Sequence, residues 1–253
     1  MFVRWLQKQI AFNELGLVDK SALNGLVVIY MLAAAFVYLR FVRQMKAGRW
    51  AVPDDFGEAF YAPGKLFTAA RWAIGGLMFL GGLVLFATCE ADKNATLLRI
   101  IAILAMLSGG SFIYITGAAN KELFNISTVC TLSVVPAVMY AVWLICCYKA
   151  NSINPVLWAY SPEIITICVA MLAFFRCAGF AFSTPTWKKA IFWSMLGGCL
   201  CIMSVADERN FGQQLILIAS ALELTYYVWA MVRNLRQGEA PAVEVPDDGF
   251  ERL

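Results

Sequence analysis

The apolar runs that fill residues 22–233 leave this chain very few ways to fold. A helix crossing a bilayer core needs about 20 consecutive apolar residues. Seven runs approach that length, at roughly 22–42, 66–88, 97–118, 127–147, 162–182, 190–206 and 212–233. They are continuous and do not alternate apolar with polar, so the backbone is expected to satisfy itself as helices and not as barrel strands. Only 15% of the 253 residues are charged and 61% are hydrophobic. A soluble domain carries nearer a quarter charged residues. The expectation is therefore an all-α polytopic membrane protein with seven transmembrane helices, in contact with a lipid bilayer. Residues 1–20 read as an amphipathic N-terminal segment, 21–236 as the transmembrane domain, and 237–253, with Pro241, Pro246 and several acids, as a disordered acidic tail.

Within MFVRWLQKQIAFNEL, residues 1–15, Phe2, Leu6 and Ile10 form one helical stripe with Arg4 and Lys8 off it. That is the pattern of a helix lying in the membrane interface; a frayed terminus is the plainer alternative. The charged residues interrupt the stretch too early for a signal peptide. Lys and Arg crowd the first loop (Arg40, Arg43, Lys46, Arg49, Lys65), which predicts a cytoplasmic 43–65 loop and C-terminus, an outside N-terminus, and residence in the plasma (inner) membrane. Ser161-Pro162-Glu163 reads as the capped start of the fifth span, and Asn210 as the cap of the last.

Two self-similarities stand out. LGGLVLFATCEADKN (80–94) aligns without gaps on LGGCLCIMSVADERN (196–210), and Phe60-Tyr-Ala-Pro63 pairs with Phe182-Ser-Thr-Pro185. Together they suggest a 3+1+3 parallel internal repeat, a known transporter plan, with chance similarity between apolar helices as the competing explanation. In length, span count, orientation and triplet duplication this layout resembles that of SWEET-type sugar carriers. Their proline–glutamine motif is absent here, and Ser161-Pro162 is a poor substitute, so the resemblance transfers no residue roles. The shorter repeat is VPDDFGEAF (52–60) against VPDDGFERL (245–253). Its second copy has no place in the helical repeat. For 52–60 the simple reading is a proline-led turn with Asp54 or Asp55 capping a short interfacial helix; the sharper one is a cytoplasmic docking motif.

Chemistry has little to stand on. There is no histidine, no Cys-x-x-Cys pair, no P-loop, no dinucleotide fingerprint and no serine elbow, so no catalytic residue, metal site, cofactor or nucleic-acid partner is expected. The eight cysteines read as small apolar packing residues. Ionisable groups in hydrocarbon are functional candidates by default. Glu163, Arg176 and Glu223 qualify, and Glu163 is explained by its helix start. Glu223 falls near the midplane of the last span. It either pairs with Arg176 or lines a polar cavity with Gln213, Gln214, Ser220, Ser108, Ser111 and Tyr114. The first functional expectation is a transporter-like protein moving a small polar or zwitterionic solute through that site. The alternative is a non-catalytic scaffold or accessory subunit, open to oligomerisation, that holds a protein partner through the 43–65 loop and the tail.

Overall fold

The computed structural model of the chain describes residues 2–10, 21–47, 50–91, 94–119, 125–152, 156–207 and 209–237. The acidic tail, with the second VPDD copy, lies outside the described residues. Helix α1 covers Phe2–Ile10 and α2 covers Ser21–Ala47. A two-residue strand β1 (Trp50–Ala51) and a single-turn helix α3 (Phe56–Ala59) lead into α4 (Lys65–Thr88), which ends in a tight turn at Cys89–Ala91. Then follow α5 (Ala95–Ala118), α6 (Ile126–Asn151), α7 (Leu157–Ala178), α8 (Trp187–Ser204), α9 (Phe211–Arg233) and β2 (Arg236–Gln237), which pairs antiparallel with β1.

Among the described residues, six stretches are long and apolar enough to cross a membrane: Asn24–Met45 in α2, Tyr160–Ala178 in α7, and the whole of α4, α5, α6 and α9. The chain has the build of a polytopic helical membrane protein. Helix α8 differs because it is 18 residues long and carries Lys188 and Lys189 in its first turn.

Each helix from α4 to α9 packs on its neighbours in sequence, and α9 returns onto α4, so six helices close into a ring. Short connections between consecutive helices enforce this antiparallel order. Helix α2 stays outside the ring, against α8, and α1 lies across α2 and α8. Most of α2 therefore faces outward, with Ile29, Leu32 and Phe36 bare. The triplet pattern departs here: α7 packs along α8, whereas α2 has no comparable contact with α4. Gly82 and Gly198, which the alignment pairs, both face the helix that follows, but the residues they meet there, Ala102 and Ala221, are not aligned positions. A Cβ built on Gly82 would lie 2.6 Å from the Ala102 carbonyl of α5, and one on Gly198 would lie 3.4 Å from the Ala221 carbonyl of α9.

Two caps are decided locally. Asn210 caps α9 as expected, its Oδ1 accepting from the Gly212 N–H at 2.9 Å. Ser161 does not start α7, which begins at Leu157 and runs through Pro162. Pro162, the sixth residue of α7, lacks the N–H that would bond the carbonyl of residue 158, so the helix carries it at the loss of that bond.

Candidate functional site

Glu223 is the most unusual residue in the molecule. It sits about 18 Å along α9, near the middle of the bundle, and is 0% exposed. Its Oε1 accepts a long hydrogen bond, 3.4 Å, from the Tyr227 hydroxyl one turn on. Its Oε2 has no partner. The surroundings are polar but sparsely connected. Tyr140 on α6 and Cys177 on α7 face the carboxyl. The Cys177 thiol lies 3.4 Å from the Ser194 hydroxyl of α8, and the Tyr140 hydroxyl 3.8 Å from the Cys201 thiol. Ser220, one turn before Glu223, is buried beside Tyr140. Four ring helices thus contribute buried hydroxyls, thiols and one carboxyl to this part of the core.

Burying a polar group without a full set of hydrogen bonds costs a few kcal/mol. An apolar side chain at 223 would avoid that cost, so stability alone does not account for a carboxyl there. Chemically the group offers one free acceptor oxygen, or one proton, to whatever reaches it. Tyr227, its hydrogen-bond partner, borders a small cavity with about 10 Å³ of room, lined also by Phe56, Phe60, Ser133, Phe174 and Cys177 among others. That is space for a single water.

A second polar cluster closes the end of the bundle where α9 starts. Arg4 is 1% exposed, and its Nε donates to Asp207 Oδ1 at 2.8 Å. Its Nη1 meets Gln7 Oε1 at 2.5 Å, and Gln7 in turn donates to Asn24 Oδ1 at 2.6 Å. Asp207 Oδ2 accepts from Ser204 at 2.9 Å and from Arg209 at 3.0 Å. Arg209 also reaches Glu163 at 3.2 Å and stacks over Trp143. Helix α1 therefore turns Arg4 and Gln7 inward and leaves Phe2, Trp5 and Ile10 exposed. An interfacial helix resting on a protein gives its polar side to the polar end of the bundle and its apolar side to lipid. Two cations and two carboxylates offset each other there, and that balance is what makes burial of any one of them tolerable.

The residues expected around Glu223 are scattered. No ion pair joins Arg176 to Glu223. Arg176 lies in the last turn of α7, and its buried Nε has no hydrogen-bond partner. Its guanidinium lies over Phe175 and lines a groove with Phe182, Thr184 and Thr186. Gln214 belongs to the far cluster, donating to the Val205 and Asp207 carbonyls at 3.4 Å each. Gln213, its neighbour, starts α9 two to three turns from Glu223. Tyr114 is 44% exposed and points away from the core. Ser111 is buried but bonds back to the Ser108 carbonyl at 2.8 Å. Of the predicted set, Ser220 lies one turn before Glu223, and Ser108 of α5 is buried with an unpartnered hydroxyl. The residues the sequence reading missed are Tyr140, Cys177 and Ser194 in the core, and Arg4, Gln7, Asn24 and Asp207 at the end. Arg4 and Gln7, three apart on one helical face, carried a readable signal for the second cluster.

All eight cysteines are free. Comparison with known proteins gives no lead: no protein-family model, no curated protein and no solved structure matches the chain.

Proposed function

We propose that this is a transporter-like integral membrane protein that moves a small polar or zwitterionic solute through a midplane site at Glu223. The observation that carries the reading is the buried carboxyl oxygen without a partner, in a centre fed by four helices. On this reading the structure is an occluded state. The paired cluster at Arg4 and Asp207 closes one end of the bundle, and the aromatic packing around Phe60 closes the other. Helix α8 is the seventh crossing: its 18 residues reach about 27 Å, near the thickness of the hydrocarbon core, and its lysines sit at the edge. The matched stretches 80–94 and 196–210 mark the two hairpins that shift against each other. The N-terminus is outside and the C-terminus cytoplasmic.

The test is uptake by the purified protein in liposomes carrying a trapped pH-sensitive dye, against a panel of labelled neutral amino acids and polyols. Glu223→Gln keeps the shape of the site and removes its ionisable group. The expected result is a variant that melts within about 3 °C of the parent and takes up nothing. Uptake equal to the parent's overturns the reading, as does a parent that moves no member of the panel and no protons.

A second reading has one observation of its own. Helix α2 lies outside the ring with its apolar face bare, which suits a scaffold that holds a partner helix in the membrane. The 43–65 loop supports it less, because its Val52, Phe56 and Phe60 are buried against the protein's own bundle.

A further inference from the structure

The stretch 52–62 plugs the end of the bundle nearest Arg176. Phe56 is 3% exposed and Phe60 0%, and Val52, Ala59 and Ala62 are buried with them. The Phe60 ring meets Phe180 and Tyr227 edge-on, each at 5.2 Å between centroids. Tyr227 is the residue that donates to Glu223. The one-water cavity lies between them, with Phe56 and Phe60 on one side and Cys177 and Tyr227 on the other. The aromatic pair, just before the start of α4, borders the cavity from this end of the bundle.

The plug is tied down from outside. Asn234, the residue after α9, donates from its side-chain amide to the Ala59 carbonyl at 3.0 Å and the Tyr61 carbonyl at 2.8 Å. Arg236 pairs with Glu58 at 3.1 Å on the surface, and β2 pairs with β1 just before the plug. These ties come from the segment that directly follows the helix carrying Glu223. After the plug the chain turns at Gly64, whose φ of 126° is a conformation that other residues resist.

We propose that residues 56–60 are a gate: Phe60 seals the Glu223 site from this end of the bundle, and Asn234 is the latch that holds it shut. The proposal rests on the reading of Glu223 as the site, and it adds how that site is reached. Opening it requires the two hydrogen bonds from the Asn234 amide and the Arg236–Glu58 pair to break and two aromatic side chains to leave, with no rearrangement of the ring.

Cys177 is a native reporter of the cavity, and Cys201, beyond Tyr140, is its control. The protein is treated with a water-soluble methanethiosulfonate, and each cysteine's modification is followed by peptide mass spectrometry. In the parent both thiols are protected. Asn234→Ala removes the latch without touching the core. It is expected to speed modification of Cys177 about tenfold, the effect of losing a hydrogen bond's worth of closure, and to leave Cys201 unchanged. Phe60→Ala is expected to speed it further. If Phe60→Ala fails to fold, Asn234→Ala decides alone. An unchanged rate at Cys177 in folded Asn234→Ala overturns the gate, and so does a parallel rise at Cys201, which reports general loosening. Labelling does not depend on transport. A selective rise at Cys177 without Glu223-dependent uptake therefore removes the transport reading and leaves the gate, whereas uptake with unchanged labelling does the reverse.

Discussion

At the scale of the residue, the chain places single atoms where an apolar substitute would be easier to bury, or where nothing larger fits. Glu223 is the first kind. Gly109 is the second, and its pairing with Gly110 shows how much a sequence conceals. Both sit in the middle of α5, and both are equally compatible with helix packing or with a pliable joint. A Cβ on Gly109 would collide with the Gly75 carbonyl of α4, while a Cβ on Gly110 meets nothing within 4 Å. Gly109→Ala must push two helices apart and is expected to cost about 1–3 kcal/mol. Gly110→Ala gains helix propensity instead and is expected to stabilise by up to about 1 kcal/mol. Thermal melts of the two variants in detergent check this, and equal shifts would show that the two helices do not touch at Gly109.

At the scale of the element, helix ends join the ring as much as helix faces do. Asn210 caps α9 and also exchanges hydrogen bonds with Thr88 at the end of α4, at 2.7 and 2.9 Å. The same residue therefore starts one helix and fixes where the ring closes. Asn210→Ala is expected to cost about 1–2 kcal/mol, the upper part of the range for a lost cap. Asn210→Asp keeps the cap and should recover most of that. If chemical denaturation puts the aspartate variant level with the alanine one, the cap contributes nothing and the Thr88 contact carries the effect. Helix α3 is the opposite case, a four-residue helix with no length to be stable alone. Asp55 caps it, accepting from the Glu58 N–H at 3.1 Å, and burial of Phe56 and Phe60 holds it in place.

At the scale of the whole molecule, the ring fixes which loops share a side. The 52–60 plug and the 179–186 turn lie at one end, and α1, Ser152 and Asn210 at the other. With the proposed orientation, Asp54→Cys should react with an impermeant maleimide only in inside-out vesicles, and Ser152→Cys only in right-side-out ones. The reverse pattern would invert the protein in the membrane. Labelling of both from the same side would contradict the alternating ring itself.

The length and continuity of the apolar runs were enough to establish long helices, because lipid offers the backbone no other partner. Local rules reached two details as well: the Asn210 cap, and Asp55 at the start of a short helix in 52–60. Periodicity alone was silent on which helices touch. Every face of these runs is apolar, so no stripe marks the side that meets another helix. The ring of α4 to α9, the exclusion of α2, and the lack of an Arg176–Glu223 pair came from side-chain fit. The same holds for VPDDFGEAF. Its letters showed a capped turn, but only the packing of Phe60 against Tyr227 placed that turn under the buried carboxyl, since contacts between residues so far apart in sequence are decided by three-dimensional packing and leave no local pattern.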